Sequence, residues 1–580
     1  MALIGALYST LNGLQNTEAR INVLSQNVTN ADKPGYTRKE LETKYATVND
    51  TVVAVGSQVA TVNYNPYLLE TLIEDTSIAS QSNVISNYLS EFIGQYGSVA
   101  GENNVGSYAN ELAASLDRLA ISPEDDSLKN QVVSNAGKLA NELNRLSGSI
   151  QDYRSRADQD IEQTVNQINT SVSLIDDLNS RIVALEAVSK STSNLEDERR
   201  VELEKLSSLV NISYFVNQKN EVQIYTGGRP LLDSIGHTIE YNANTALDKN
   251  TVYPAGFNAI DLEGFDLTPF IRGGELGGLI NVRDTQFVNE QAKLDEYANV
   301  LMTQLNALQS SGASIPGPAQ VTGSVTGVAT GDAFSATGSI RIAVLDETGT
   351  VQNFADFNLA GYPTIANLNA DINATLGADV SVIISPPNGQ WQISADNPGT
   401  GIAINQLDSD VAPDNVTFSQ YFGLNNMFDG TGADNIKVSD YLANNGNNLA
   451  TSRLESGALA IGDFGVNIGD SSLSSEMNDV FTSSYSFAAA GTFPSQSETL
   501  NNFIDKIISD TAFRASNAAS DASITLALME QTKSTLENMS AVNIDEEMAN
   551  LIDLEAKYEA SATMIATIQQ MFDTLLAAVR

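Results

Sequence analysis

Apolar residues recur along the last forty positions at alternating steps of three and four: Leu551, Leu554, Tyr558, Ser561, Ile565, Ile568, Phe572, Leu575 and Val579. That rhythm is a heptad seam, the stripe along which one helix packs on another. Only Ser561 is polar on it. Asn543, followed by Asp545, Glu546 and Glu547, supplies a capping side chain and negative charge where a helix N-terminus favours them. The first thirty residues carry the same rhythm in Ile4, Leu7, Leu11, Leu14, Ile21 and Val28, interrupted by Glu18 and Ser25. Chain ends are ordinarily polar and frayed. Two apolar helical ends predict coiled-coil arms, 1–35 and 541–580, that need a partner. A terminal helix packed on its own domain is the rival to one awaiting another chain.

Between the arms the period changes several times. Helical spacing runs from Leu68 through Leu89 and Phe92 to Leu119, after short alternating strands within Thr43–Tyr64. A longer run follows: Val132, Ala136, Leu139, Leu143, Leu146, Ile150 and Tyr153, then Ala157, Ile161, Val165, Ile168, Val172, Ile175, Ile182 and Leu185. No proline interrupts Glu124 to Leu185, so the pattern predicts a helix of roughly 90 Å. A strut of that kind offers no concave pocket for catalysis. Leu195–Leu209 predicts another helix. Val210–Val216 and Glu221–Thr226, separated by Asn217–Asn220 and closed by Gly227-Gly228, predict a hairpin. Asn281–Gln309 predicts a further long helix, and helical spacing returns from Ser497. In Ser311–Ala450 glycine, asparagine and threonine dominate, with strand patterns at 339–344, 379–384 and around Trp391. The expected fold is mostly α with a β-rich inserted outer domain, and its long-helix bundle is built from both halves of the chain. The expected divisions are 1–35, 36–310 (helical, with hairpins), 311–450 (β-rich insert), 451–540 (helical, second part) and 541–580.

Composition narrows the function. A length of 580 residues accommodates about three or four domains. The 71 acidic against 30 basic residues give a net charge of −41, which repels nucleic acid phosphates and anionic lipid. It also suits a salty habitat. The insert alone holds thirteen acidic and two basic residues, Arg341 and Lys437. With no cysteine, disulfides, zinc thiolates and cysteine nucleophiles are excluded. No run of 18 apolar residues predicts a membrane span. The first residues lack the basic region and long apolar core of a secretory leader. The expectation is a cytoplasmic chain or one exported without cleavage.

Candidate chemistry is sparse. Asp125-Asp126, Glu546-Glu547 and Asp408-Ser409-Asp410 lack the spacing of a calcium loop and are read as caps and solvated loops. His237, the single histidine, is read as a turn residue. The Gly-Gly pairs at 227–228, 273–274 and 277–278 lack a phosphate-loop pattern. No enzyme, cofactor or metal is expected.

Five stretches carry a resemblance. Asn27-Val28-Thr29-Asn30-Ala31-Asp32-Lys33-Pro34-Gly35-Tyr36-Thr37-Arg38 looks like the N-terminal signature of bacterial flagellar axial proteins, with Asn27, Asn30, Pro34, Gly35 and Tyr36 as its motif turn. Leu195–Leu232, Gly273–Asp284 and Val542–Arg580 are similar to segments of the flagellar hook-associated protein 1 (FlgK) family, and Phe418–Phe428 resembles its short aromatic segment. The resemblance covers roughly 1–310 and 500–580. It implies a structural subunit of the hook–filament junction, with terminal helices forming an inner tube. It implies type III export from the cytoplasm and localisation at the flagellum. The implied partners are copies of itself, hook protein, a second junction protein, and a cytosolic chaperone on the C-terminal seam. The alternatives are another axial subunit, of hook or filament type, or a secreted stalk-like adhesin. On the junction reading, Ile565→Asp leaves the monomer soluble and blocks assembly.

Overall fold

The computed structural model describes residues 2–42, 45–48, 51–55, 59–62, 65–97 and 104–579. Thirteen helices occur among them in chain order: α1 (Ala2–Asn30), α2 (Pro66–Ile93), α3 (Val105–Ile121), α4 (Asp126–Glu186), α5 (Ser193–Leu209), α6 (Gly274–Asn281), α7 (Phe287–Ser311), α8 (Ile365–Leu376), α9 (Phe418–Phe422), α10 (Asp440–Asn444), α11 (Ser472–Asp479), α12 (Leu500–Ser540) and α13 (Ile544–Val579). The fold is mostly α with a sheet-rich middle. In the stretch expected as strands, Tyr45–Val48 pairs with Thr51–Val55, and Lys39–Glu42 with Val59–Val62. Its residues 43, 44, 49, 50, 56–58, 63 and 64 lie outside the described set.

Local chemistry accounts for the helix starts. Asn104 caps α3 reciprocally with Ser107: its side chain accepts from the Ser107 amide at 2.8 Å, and the Ser107 hydroxyl accepts from the Asn104 amide at 3.0 Å. Asp125 caps α4 by accepting from the Ser127 amide at 2.8 Å. The seam of α4, from Val132 to Ile182, is buried almost throughout, as its spacing predicts.

The chain forms two compact units. The first comprises 1–89, 155–284 and 516–580. Its core is built by Leu203, Leu206, Leu209 and Val210 of and after α5, with Val222, Ile224, Leu231 and Leu232 of a three-stranded antiparallel sheet. The expected hairpin is there, as Ser213–Val216 paired with Val222–Thr226. Arg283 is fully buried: it meets Asp158 at 2.7 Å and Asp284 at 2.8 Å, and stacks 4.0 Å from the Phe257 ring. Burial alone would lower its pKa, but the carboxylates beside it win and the guanidinium stays charged.

The second unit comprises 90–154 and 285–515. In the insert, Ser339–Asp346 lies between Val351–Asn358 and Thr400–Asn405, and Gln390–Ala395 lies between Gln320–Thr322 and Val380–Ser385, all antiparallel. Their core centres on Trp391, whose indole donates to Asn369 at 2.8 Å and whose ring stacks on Phe422. In the helical part, Glu290 is buried among Tyr96 (2.6 Å), Lys293 (3.2 Å) and Arg514. Residues 451–499 hold only α11 and a hairpin pairing Ser484–Phe487 with Gln496–Thr499. That strand delays the helix expected from Ser497 to Leu500.

Candidate assembly site: the terminal helix pair and its clamp

The two terminal helices pack antiparallel on each other within one chain. Thr10 meets the Met564 sulfur at 3.7 Å toward one end, and Asn27 donates to Glu547 at 3.2 Å toward the other. On α13, Leu554 and Ile568 are buried, each 7 % exposed. Leu551, Ser561, Ile565 and Phe572 are half-buried, while Tyr558 and Leu575 are exposed. The backbone of Val579 closes the helix; its side chain lies outside the described residues. The seam read from the sequence is thus turned toward α1 of the same chain.

On α1 the structure shifts the phase. Leu7, Leu14, Ile21 and Val28 are half-buried, as read. Ile4 and Leu11 are exposed, and the alternate seam positions go instead to Leu3, Thr10, Thr17 and Leu24, all half-buried. The reason lies in the polar residues. The phase through Ile4 and Leu11 would also turn Glu18 and Ser25 inward, and a buried carboxylate is costly. The observed phase turns them out. Its threonines are tolerated because each hydroxyl donates within the helix, Thr10 to Ala6 at 2.8 Å and Thr17 to Gly13 at 2.9 Å.

At the base of the pair, the Pro-Gly-Tyr turn is locked in a clamp. The Asn30 carbonyl accepts from the Lys33 amide at 2.9 Å, ending α1. Pro34 follows on the surface. Gly35 has φ +76°, and a Cβ there would stand 2.4 Å from a Val201 methyl, so the position requires glycine. Its carbonyl accepts from Arg200 at 2.9 Å. Asn27 uses its whole carboxamide: the oxygen accepts from the Lys39 amide (2.9 Å) and the Tyr36 hydroxyl (3.0 Å), and the nitrogen donates to the Lys39 carbonyl (3.0 Å) and Glu547. Arg38 donates to the other oxygen of buried Glu547 at 2.7 Å. The Lys39 ammonium is buried against Asp197, the Thr37 hydroxyl and the Ser193 carbonyl. Asp197 also accepts from the Thr37 amide at 3.1 Å and hydroxyl at 2.7 Å. Burial lowers the Lys39 pKa although Asp197 opposes it, and burial first, then Asp197 and Glu547, push the Tyr36 hydroxyl up to about 12.

Sequence reasoning marked Asn27, Asn30, Pro34, Gly35 and Tyr36 but missed Thr37, Arg38, Lys39, Asp197 and Arg200, and read Glu547 as a cap charge. The signal was slight, because Asp197, Arg200 and Glu547 lie more than 150 positions along the chain from the turn residues they hold.

The remaining candidates are placed simply. Asp408 accepts from the Ser339 amide at 2.8 Å, and Glu546 lies 3.6 Å from Arg38. Among the described residues no cluster of three or more His, Cys, Asp or Glu side chains could hold a metal ion, and no helix is long and apolar enough to cross a membrane. His237 sits between Glu263 (2.9 Å) and Asp233 (3.4 Å). The Glu263 hydrogen bond is the largest cause of its raised pKa. A raised folded-state pKa adds stability that is complete below the unfolded value of about 6.5 and is lost as pH rises through the folded value. Replacing His237 with Gln is therefore expected to lower Tm at pH 5.5 and to leave it unchanged at pH 9, as calorimetry at the two pH values would record.

Comparison with known proteins adds to this geometry. A family model described as the flagellar hook-associated protein FlgK helical domain matches residues 95–323, and one for the flagellar basal body rod FlgEFG protein C-terminal matches 534–578. The chain is 24 % identical to flagellar hook-associated protein 1 of Escherichia coli, over 98 % of both chains. It is 24 % identical to the protein of the same name from Bacillus subtilis over 248 residues, 41 % of this chain and 47 % of that one. The structure of the flagellar hook junction protein FlgK from Burkholderia pseudomallei superposes with TM-score 0.50 at 16 % identity, covering 80 % of this chain and 99 % of that one, a likeness of fold. The class is that of a structural protein of the flagellum that assembles within its axis, and not an enzyme. Within that class, the chain is similar to the flagellar hook-associated protein 1 (FlgK) family, through its helical domain and along its whole length.

Proposed function

We propose that the protein is the structural subunit joining flagellar hook to filament, and that it assembles with copies of itself through its terminal helix pair. The observation that carries this is the end-to-end similarity to a hook-associated protein 1, both terminal arms included. The N-terminal residues Ile4, Leu7, Leu11, Leu14, Ile21 and Val28 and the C-terminal seam from Leu551 to Val579 belong to the assembling element, some as its internal seam and some as its outer faces. The neighbours on this reading are hook protein on one side and a second junction protein on the other. Before assembly the chain passes unfolded through a type III export route. A cytosolic chaperone covers the C-terminal helix until then, since an apolar helix without its partner is prone to aggregate.

Deleting the gene and viewing the cells by electron microscopy tests this. Hooks without filaments, with filament protein shed into the medium as monomer, are expected. Missing hooks would identify a hook subunit instead, and normal flagella would overturn the assignment.

A further inference from the structure

A cleft of about 310 Å³ opens beside the sheet-rich insert, wholly within the second unit. The edge strand Gln320–Thr322 forms one wall, the residues after α9 a second and the start of α10 a third. Alternation along the strand sends Val321 into the core and leaves Gln320 and Thr322 exposed on the other face. Close backbone contact fixes the walls. The Ser324 amide donates to the Gly423 carbonyl at 2.9 Å. Gly423 has φ +64°, and a Cβ there would collide with the Ser324 hydroxyl.

In the cleft the amide nitrogens are engaged and the oxygens are not. The Gln390 side-chain nitrogen donates to the Gly323 carbonyl at 2.8 Å, that of Asn426 to the Ser324 hydroxyl at 3.1 Å, and that of Gln320 to the Thr322 hydroxyl at 3.0 Å. Among the described residues their side-chain carbonyls meet no donor, and the Ser324 and Thr322 hydroxyl hydrogens meet no acceptor. The half-buried carboxylate of Asp429 has neither a hydrogen bond nor an ion pair among these residues, and one of its oxygens is buried. Lys437, the cation facing it, is held by Asp440 at 3.0 Å. A desolvated carboxylate without donors is costly.

The chemistry that answers this lining is neutral and rich in hydroxyls. An anion would face the carboxylates of Asp429 and Asp440. A cation would leave the two hydroxyl hydrogens unused, and a hydrocarbon would leave every polar group unpaired. A hydroxyl both donates and accepts, and two on neighbouring ring carbons can donate together to one carboxylate. The cleft lies at the small end of ligand pockets, which suits one sugar ring. We propose that it binds a single pyranose of a neutral carbohydrate, with Asp429 accepting from vicinal hydroxyls and the Gln320, Gln390 and Asn426 carbonyls accepting from others. Binding here is a function of the insert, separate from assembly by the terminal helices.

Saturation-transfer NMR on the full-length chain tests this with the methyl glycosides of glucose, galactose, mannose and fucose, and with N-acetylglucosamine, each at millimolar concentration. Transfer to the ring protons of at least one is expected. Asp429→Asn is expected to weaken its Kd about tenfold or more, as the loss of bonds to a charged group does. Thr322→Trp, at an exposed position on the wall, fills the cleft and is expected to abolish binding should the first variant not fold. A glycan array separates the two sources of such a ring, and either keeps the proposal: capture of chains ending in that sugar marks a chain end, and none marks the free sugar. Silence from all five sugars would overturn the proposal, as would full affinity in both variants. Transfer to spermidine in place of every sugar would also overturn it, since Asp429 would then await a cation.

Discussion

Asp197→Ala is expected to destabilise the protein by about 3–5 kcal/mol, because it strips a buried ammonium of the carboxylate that pairs with it. Lys39 is 2 % exposed and keeps the Thr37 hydroxyl, the Ser193 carbonyl and the face of the Tyr36 ring 4.9 Å away, none of them charged. Thr37 loses two bonds as well, from its amide and its hydroxyl. The loss has a signature beyond its size. The Lys39 pKa is already lowered by burial, and without Asp197 it falls further. The unfolded state then binds more protons than the folded state over the interval between the two values, so stability of the variant rises with pH across it. Urea unfolding at pH 7 and pH 9 is expected to show partial recovery of Asp197→Ala at the higher pH. Lys39→Met combined with Asp197→Leu removes both charges and is expected to lie much nearer the wild type. Equal losses in the single and double variants would mean that the pair acts through shape and not charge.

The clamp also shows where the sequence stopped being legible. The α4 seam could be read because its evidence is local: fifteen apolar positions within one helix repeat the same signal. The Pro34-Gly35 turn could be read for the same reason, since proline and glycine act on their own backbone. What makes Gly35 necessary, the methyl of Val201, belongs to α5 and leaves no trace near the turn. Asn27, Glu547 and Asp197 sit in three distant segments, and each alone resembles an ordinary surface residue. The phase of α1 was misread by a different route. Ile4 and Leu11 look better suited to a seam than Thr10 and Thr17, until Glu18 and Ser25 are counted with them and the threonine hydroxyls are seen to be satisfied within the helix. The strand at Gln496–Thr499 was masked by the helical pattern beginning beside it.

Ile568→Asp is expected to separate the terminal helices and abolish assembly. Ile568 is buried on the seam with α1, and an aspartate there would bury an unpaired carboxylate at a cost of several kcal/mol. Little is near to neutralise it. Lys557 of α13 is already engaged by Asp553 at 2.6 Å, and the one cation of α1 is Arg20, which lies far down the pair from the level of Ala6. The helices have little reason to remain helical apart, because isolated apolar stripes in water gain nothing from their own packing. Circular dichroism is expected to lose helical signal, and brief proteolysis to trim both ends. The sequence pattern gives a different cause for the same loss in Ile565→Asp, a contact between chains with the monomer left intact. The seam within one chain predicts that the monomer itself is altered. Met564→Asp separates the two causes. Its side chain is exposed on the outer face of α13, so it should keep the helical signal and protease resistance of the wild type while weakening assembly. Loss of helix in Met564→Asp, or full assembly by Ile568→Asp, would mean that the division between an internal seam and an outer face is drawn in the wrong place.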